Sequence, residues 1–260
     1  MTGLRHAILA LSALPGLALA GCGSAAHGSA GTVTGKISGK ITVFAAASLT
    51  GSFTDLGKAF ESAHPGTTVA FSFGASSTLA MQITSGAPAD VFASASAKNL
   101  DTVVAAGAAA APRTFATNSA EVAVAPASRT SVTSLADLGK VGVKVALCQP
   151  EVPCGALATS VLGHAGVQVT PVTRGLDVKA VLASVTSGEV DAGIVYVTDV
   201  LAAGAKVVGV TIPAGQNSST AYPIATVTSS RNPLLAKAFD DFVLSPVGEA
   251  VLARAGFGKP

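Results

Sequence analysis

Residues 41–73 read ITVFAAASLTGSFTDLGKAFESAHPGTTVAFSF, and this stretch decides the fold. Ile41 to Ala45 is an apolar, partly β-branched run with strand character. Leu49, Phe53, Leu56 and Phe60 then recur at steps of three and four, which puts them on one face of a helix. His64-Pro65-Gly66 stops that helix, because proline cannot continue it and glycine accepts the turn that follows. Thr68 to Phe73 is extended again. Two strands joined by a helix run parallel, so the expected class is α/β, with sheets covered by helices.

The alternation continues outward from this unit. Leu79 and Ile83 mark a helix closed by Gly86 and Pro88, Asp90 to Ala93 a short strand, and Lys98 to Ala106 a further helix. After the strands Glu121 to Ala125 and Val143 to Leu147, a second α/β unit holds helices through Leu157 and Val161 and through Val178, Val181, Leu182 and Val185. Gly193 to Tyr196, Val207 to Val210 and Tyr222 to Val227 read as strands, and helices around Leu234 to Leu244 and Pro246 to Ala255 end the chain. Roughly nine or ten strands suit two lobes better than one open sheet. With two crossings between them, lobe one is expected at 40–118 plus 221–260 and lobe two at 119–220.

At 260 residues and 49% hydrophobic, the chain is long enough for two buried cores. The net charge of +2 is spread singly, without a Lys/Arg run, so nucleic acid is not an expected partner. Aromatics are 5% and Trp is absent, which predicts cores built from small aliphatic side chains. Residues 1–22 read as an export signal. Arg5 and His6 precede an apolar stretch, Ala7 to Ala20, too short to span a bilayer. The ending Leu19-Ala20-Gly21-Cys22 resembles a bacterial lipoprotein processing site, which implies a lipid on Cys22 and anchoring at the outer face of the cell membrane. The alternative is a plain secretory signal with an incidental cysteine. Residues 23–39, rich in Gly, Ser, Ala and Thr, read as a flexible tether. Cys148 and Cys154 remain as an even pair, for which a disulfide is the default outside the cytoplasm. A metal or redox pair is the competing reading, but no further ligands stand nearby and the spacing matches no zinc pattern.

The chemistry is expected where strands give way to helices. Ala47-Ser48 follows the first strand and opens the first helix, Ser76-Ser77-Thr78 sits between strand and second helix, Pro153-Cys154-Gly155 precedes a helix of the second unit, and Asp177-Val178 begins another. Helix starts offer unpaired N–H groups and partial positive charge, so several converging on one cleft make an anion site without charged side chains. Taken singly, each serine reads equally as a simple N-cap.

The wording of these junctions goes further. Phe44-Ala45-Ala46-Ala47-Ser48-Leu49-Thr50, Phe73-Gly74-Ala75-Ser76-Ser77-Thr78-Leu79 and Gly86-Ala87-Pro88-Ala89-Asp90-Val91-Phe92-Ala93-Ser94-Ala95 closely resemble the periplasmic molybdate-binding component of ABC importers. The likeness continues through Pro150 to Gly155, Asp177-Val178-Lys179 and Gly193-Ile194-Val195-Tyr196, in matching order over 41–258. The resemblance implies a type II periplasmic-binding-protein fold, two α/β lobes joined by a two-stranded hinge. It also implies a molybdate (or tungstate) ligand held by Ser48 and Ser76 from lobe one and by Cys154, Val178 and the Tyr196 hydroxyl from lobe two. The only metal in that reading is the oxyanion itself; no cofactor is implied, and the partners are an ABC permease with its ATPase, with a monomer as the expected state. Where the family often carries Ala, this chain has Cys154, which would set one half of the disulfide against the ligand.

A fully deprotonated dianion needs only donors, whereas a protonated phosphate would want an acceptor. Sulfate and phosphate carriers remain alternatives on the same fold. A ferric-iron carrier would need several oxygen ligands around Tyr196 or Tyr222, which stand in different sequence contexts; Tyr196 also reads as hinge packing and Tyr222 as structural. A lipid-anchored scaffold protein is a further class. G-x-S-x-G, H-E-x-x-H and P-loop motifs are absent from the sequence, so a hydrolase or other enzyme is not expected.

Overall fold

The computed structural model describes residues 37–128 and 131–260; the export signal, Cys22 and most of the tether lie outside the described residues. In the first half of the chain, β1 (Gly39–Ala46), α1 (Thr50–Ala63), β2 (Thr67–Gly74), α2 (Ser76–Thr84), β3 (Val91–Ala93), α3 (Ala97–Ala105) and β4 (Arg113–Val124) follow in order. Then come β5 (Val145–Cys148), α4 (Pro153–Ala165), β6 (Thr173–Gly175), α5 (Val178–Thr186), β7 (Ala192–Tyr196), α6 (Val197–Ala203), β8 (Val208–Thr211), β9 (Ser219–Thr226), α7 (Pro233–Val243) and α8 (Pro246–Arg254). Strand β1 starts at Gly39 rather than Ile41, because the Gly39 N–H donates to Gly66 O at 2.9 Å and Asn232 Nδ2 holds Ser38 O at 3.1 Å.

The strands run in the order β2-β1-β3-β9-β4-β7-β5-β6, with β8 also paired to β4. Strands β2, β1 and β3 are parallel to one another, as are β6, β5 and β7. Between these sets lie β9 and β4, antiparallel to each other from Arg113↔Ile224 to Ser119↔Ser219. From Ala120 to Val124, β4 pairs instead with β7 and β8, so one strand serves both halves of the sheet. This is the two-lobed α/β architecture joined by a pair of strands. The sequence shows only the last part of β4, because Thr114, Thr117, Asn118 and Ser119 break the apolar alternation on which a strand is recognised.

The two lobes are packed differently. All ten phenylalanines fall between Phe44 and Phe115 or between Phe239 and Phe257, on the side of β1, β2, β3 and β9. Phe53 and Phe60 are fully buried; the Phe53 ring lies 5.6 Å from that of Phe115, and the Phe60 ring 5.4 Å from that of Phe239. The core under β5, β6 and β7 is Val, Ala, Leu and Ile with two cysteines, and its one aromatic residue is Tyr196. The expectation of small aliphatic cores therefore holds for the second lobe and is corrected for the first, since bulk composition averages over lobes that sort their residues.

Candidate functional site

Register brings the two serines together. Ala46, the last residue of β1, is paired with Gly74, the last of β2, and the chain turns into a helix start just beyond each. Ser48 and Ser76 thus leave neighbouring parallel strands at the same edge, the end of an α/β sheet where ligands bind. The second lobe repeats the device. Cys148, ending β5, pairs with Gly175, ending β6, and β7 runs beside β5 to finish at Tyr196. Cys154, Val178 and Tyr196 therefore stand at the ends of three adjacent parallel strands.

These edges face one another across a single small cavity. Its lining includes Ser48, Ser76, Cys154, Val178 and Tyr196, with Ala46, Ala47, Gly74, Ala75, Ala95, Val152, Pro153 and Asp177 completing the wall. All five residues named from the sequence are buried, the most exposed being Ser48 at 7%. Ala47 and Ala75 of the first lobe pack into the hydrophobic cluster of the second, so the lobes meet around the cavity. The space open to the centre of a water molecule is about 20 Å³. One water needs about 10–15 Å³ by that measure, so the cavity suits a compact ion rather than an organic molecule.

Most of the wall is apolar, and apart from Asp177 its polar side chains are the hydroxyls of Ser48, Ser76 and Tyr196. The N-cap residues of the turn at Ala47–Leu49, of α2 and of α4 are Ala46, Ala75 and Val152, none of which makes a side-chain cap bond. Neither serine is an N-cap, so that alternative is set aside. Residues such as Ser, Thr, Asp or Asn ordinarily fill those positions, and without them the first-turn N–H groups keep their capacity for another acceptor. Unlike these three, α5 is capped, by Asp177, which accepts the Ala180 N–H at 3.0 Å. Among the described residues Asp177 is also the one charged residue of the wall, and no cationic side chain lines it. Positive potential comes from helix starts and hydroxyls alone.

Each serine oxygen is held from behind. Ser76 Oγ accepts the Ala95 N–H at 2.9 Å, which leaves the serine hydrogen to give. Ser48 Oγ lies 2.8 Å from the hydroxyl of Tyr222, a fully buried residue of β9. Tyr222 is thus bonded to a site residue as well as packed in the core, a role its sequence context does not signal. Its ring also lies edge-on to that of Tyr196 at 6.1 Å, so the two tyrosines read as belonging to different contexts are neighbours. The Tyr196 hydroxyl is buried and meets no partner in good hydrogen-bond geometry among the described residues, although Tyr222 lies beside it. Burial pushes it well above its ordinary pKa, with Tyr222 and Asp199 adding to the effect; burial also raises Tyr222.

Two links hold the second wall in place. The Cys148–Cys154 disulfide ties the end of β5 to the first turn of α4, over a Cα separation of 5.8 Å. Beside it only glycine fits at 155, where a Cβ would come within 1.8 Å of Gln149 O. Lys179 Nζ lies 2.6 Å from Asp199 Oδ1, and Asp199 Oδ2 accepts the Tyr196 N–H at 3.2 Å, which couples the start of α5 to the end of β7. Burial pushes the Asp199 carboxyl up and the Lys179 ammonium opposes it. Sequence reading missed Tyr222, Ala95 and the Lys179–Asp199 pair, all of which act through contacts distant in the chain.

Comparison with known proteins places the chain in a family. Residues 41–258 match the family described as bacterial extracellular solute-binding protein. The "Molybdate-binding protein ModA" of Mycobacterium bovis is 39% identical over 259 residues, 99% of this chain and 98% of the relative. The protein of the same name from Escherichia coli is 39% identical over 84% of this chain and 89% of its own. Among solved structures, the periplasmic molybdate-binding protein of Azotobacter vinelandii superposes with a TM-score of 0.76, covering 85% of this chain and 99% of that one, at 24% identity, a likeness of fold. By sequence over nearly its whole described length, and by the arrangement of its two lobes, this chain belongs to the bacterial extracellular solute-binding protein family, among its ModA-like members.

Proposed function

We propose that the protein captures molybdate, and tungstate with it, between its lobes and hands the ion to an ABC permease driven by a separate ATPase. The observation that carries this reading is the small cavity where uncapped helix starts and two serine hydroxyls converge without a cationic side chain among the described residues. Such a wall offers hydrogens, which a fully deprotonated tetrahedral dianion needs on every side, and bonds from neutral donors to an ion are about twice as strong as ordinary ones. Ser48 and Ser76 would give hydroxyl and N–H donors, Cys154 and Val178 their N–H groups, and Tyr196 its unpartnered hydroxyl. The lobe boundaries adopted are 40–118 plus 221–260 and 119–220. A lipid on Cys22 would hold the monomer at the outer face of the membrane.

A ferric-iron site is disfavoured by the same residues. Burial raises both tyrosines, the opposite of what a phenolate ligand requires, and no grouping of three His, Cys, Asp or Glu residues suited to a metal occurs among the described residues. Calorimetric titration of the detergent-solubilised full chain with molybdate, tungstate, sulfate and phosphate in parallel is the test. Molybdate and tungstate are expected to bind tightly, with joint Ser48→Ala and Ser76→Ala substitution abolishing most of the affinity. A flat molybdate trace, or affinity unchanged in the double variant, overturns the assignment. Detergent-phase partitioning that survives Cys22→Ala would overturn the lipid anchor.

A further inference from the structure

A serine hydroxyl has one hydrogen, and it serves a dianion only if that hydrogen is free to point at the ion. Ser76 meets this condition through a backbone N–H, which can only donate. Ser48 faces a tyrosine hydroxyl, and at 2.8 Å either oxygen can be the donor. If Ser48 donated to Tyr222, its hydrogen would be spent inside the protein and its lone pairs would face the cavity. The direction of this one bond decides whether the first lobe presents a donor or an acceptor.

The groups behind Tyr222 favour one direction. Ser119 N–H donates to the side chain of Asn118 at 3.0 Å, so the atom facing it is Oδ1 and the amide orientation is fixed. Asn118 Nδ2 then donates to Thr198 Oγ1 at 2.8 Å and, over a long 3.5 Å, to the Tyr222 oxygen. Tyr222 can accept from both neighbours, but the arrangement that also uses its own buried hydrogen gives that hydrogen to Ser48 Oγ, 2.8 Å away. In that arrangement the Ser48 hydrogen has no other acceptor among the described residues and is left for the cavity. Asn118, Tyr222 and Thr198 are all buried, so water does not compete for these bonds.

We propose that Tyr222, oriented by Asn118, is a positioning residue that locks Ser48 as a hydrogen donor and thereby makes the cavity select fully deprotonated oxyanions over those that carry a hydrogen, such as hydrogen phosphate. The proposal rests on the anion-binding reading above and adds what sets its selectivity. Without the lock, Ser48 can rotate to accept, and an anion bearing a proton gains a partner.

The test is titration of the full chain and its variants with molybdate and with phosphate at pH 8, where phosphate carries one hydrogen. Tyr222→Phe keeps the ring contacts to Phe115, Tyr196 and Phe257 and removes only the hydroxyl. It is expected to weaken molybdate binding about tenfold, the scale of one hydrogen bond to a charged group, while phosphate binding rises or stays level. In the Ser48→Ala background the same substitution should cost molybdate nothing further, because Tyr222 acts only through Ser48. Asn118→Ala should shift the molybdate-to-phosphate ratio in the same direction by less, and it carries the ratio test if Tyr222→Phe fails to fold. Additive losses in the double variant, or equal losses for both anions, assign Tyr222 to packing and overturn the lock. An unchanged ratio in both single variants does the same. Wild-type protein that binds phosphate as tightly as molybdate also overturns it, with Asp177 as the candidate acceptor, whereas wild-type protein that binds neither anion overturns the anion reading itself.

Discussion

The two walls of the cleft reach the same chemistry by different means. The first lobe is stiffened by clustered phenylalanine rings and offers hydroxyls whose hydrogens are directed by Ala95 and Tyr222. The second has an aliphatic core and offers helix starts held by a disulfide, a capping aspartate and the Lys179–Asp199 pair. A buried aromatic ring removes about 150–250 Å² from water and fixes its neighbours through ring geometry. A lobe of Val and Ala lacks that anchor, and covalent and ionic links stand where its ligand-facing residues need to be fixed. Rigidity at the site is thus obtained from packing on one side and from discrete ties on the other.

This contrast is broken most severely by removing a ring. Phe53→Ala, at the centre of the first core, is expected to destabilise the protein by about 3–5 kcal/mol, read from urea unfolding midpoints. A valine of the second core truncated likewise, Val161→Ala, should cost clearly less. Next in size is the disulfide. Replacing Cys148 and Cys154 together by Ala should lower stability by roughly 2 kcal/mol, as expected for a short closed loop. Molybdate affinity should fall as well, since one of the two residues lines the cavity; unchanged affinity would show that the tie is not needed to hold α4 in place.

Tyr196→Phe separates binding from folding. The hydroxyl has no protein partner to lose, so the melting temperature should stay level or rise, while molybdate affinity falls about tenfold. A further test belongs to the first lobe and to pH. Asp240, on α7, accepts from Thr226 Oγ1 through Oδ2 but has no partner at Oδ1, and burial pushes its carboxyl up to about 7 from 3.8. Between these values the folded protein holds a proton that the unfolded chain releases, so stability should fall as pH rises from 4 to 7. Asp240→Asn should flatten that slope in melting curves of the ligand-free protein, and a slope that persists would assign it to other groups.

Much of the first wall was legible in sequence because its signals are local. The helical recurrence of Leu49, Phe53, Leu56 and Phe60, the stop at His64-Pro65-Gly66 and the serines beyond two strands need only neighbouring residues to be read. The resemblance then named one residue set from both lobes, and all five of its members line one cavity. What stayed hidden depends on contacts made after folding. Tyr222 meets Ser48 across 174 residues, and nothing in its neighbours distinguishes a tyrosine that packs from one that also orients a hydroxyl. The long strand β4 was hidden for a different reason: its middle serves a polar network through Asn118, at the expense of the alternation that marks a strand.

That strand also governs how the cleft can open. Because β4 is hydrogen-bonded to β9 along its first part and to β7 and β8 along its last, the joint between the lobes is ladder interrupted by one irregularity between Thr114 and Ala116. An opening that keeps those bonds must be taken up as a small torsion shared along the backbone, like a bar twisted at both ends. Such a joint has no bonds to remake when it recovers, and from Arg113 to Val124 it offers a protease a paired strand rather than a loop.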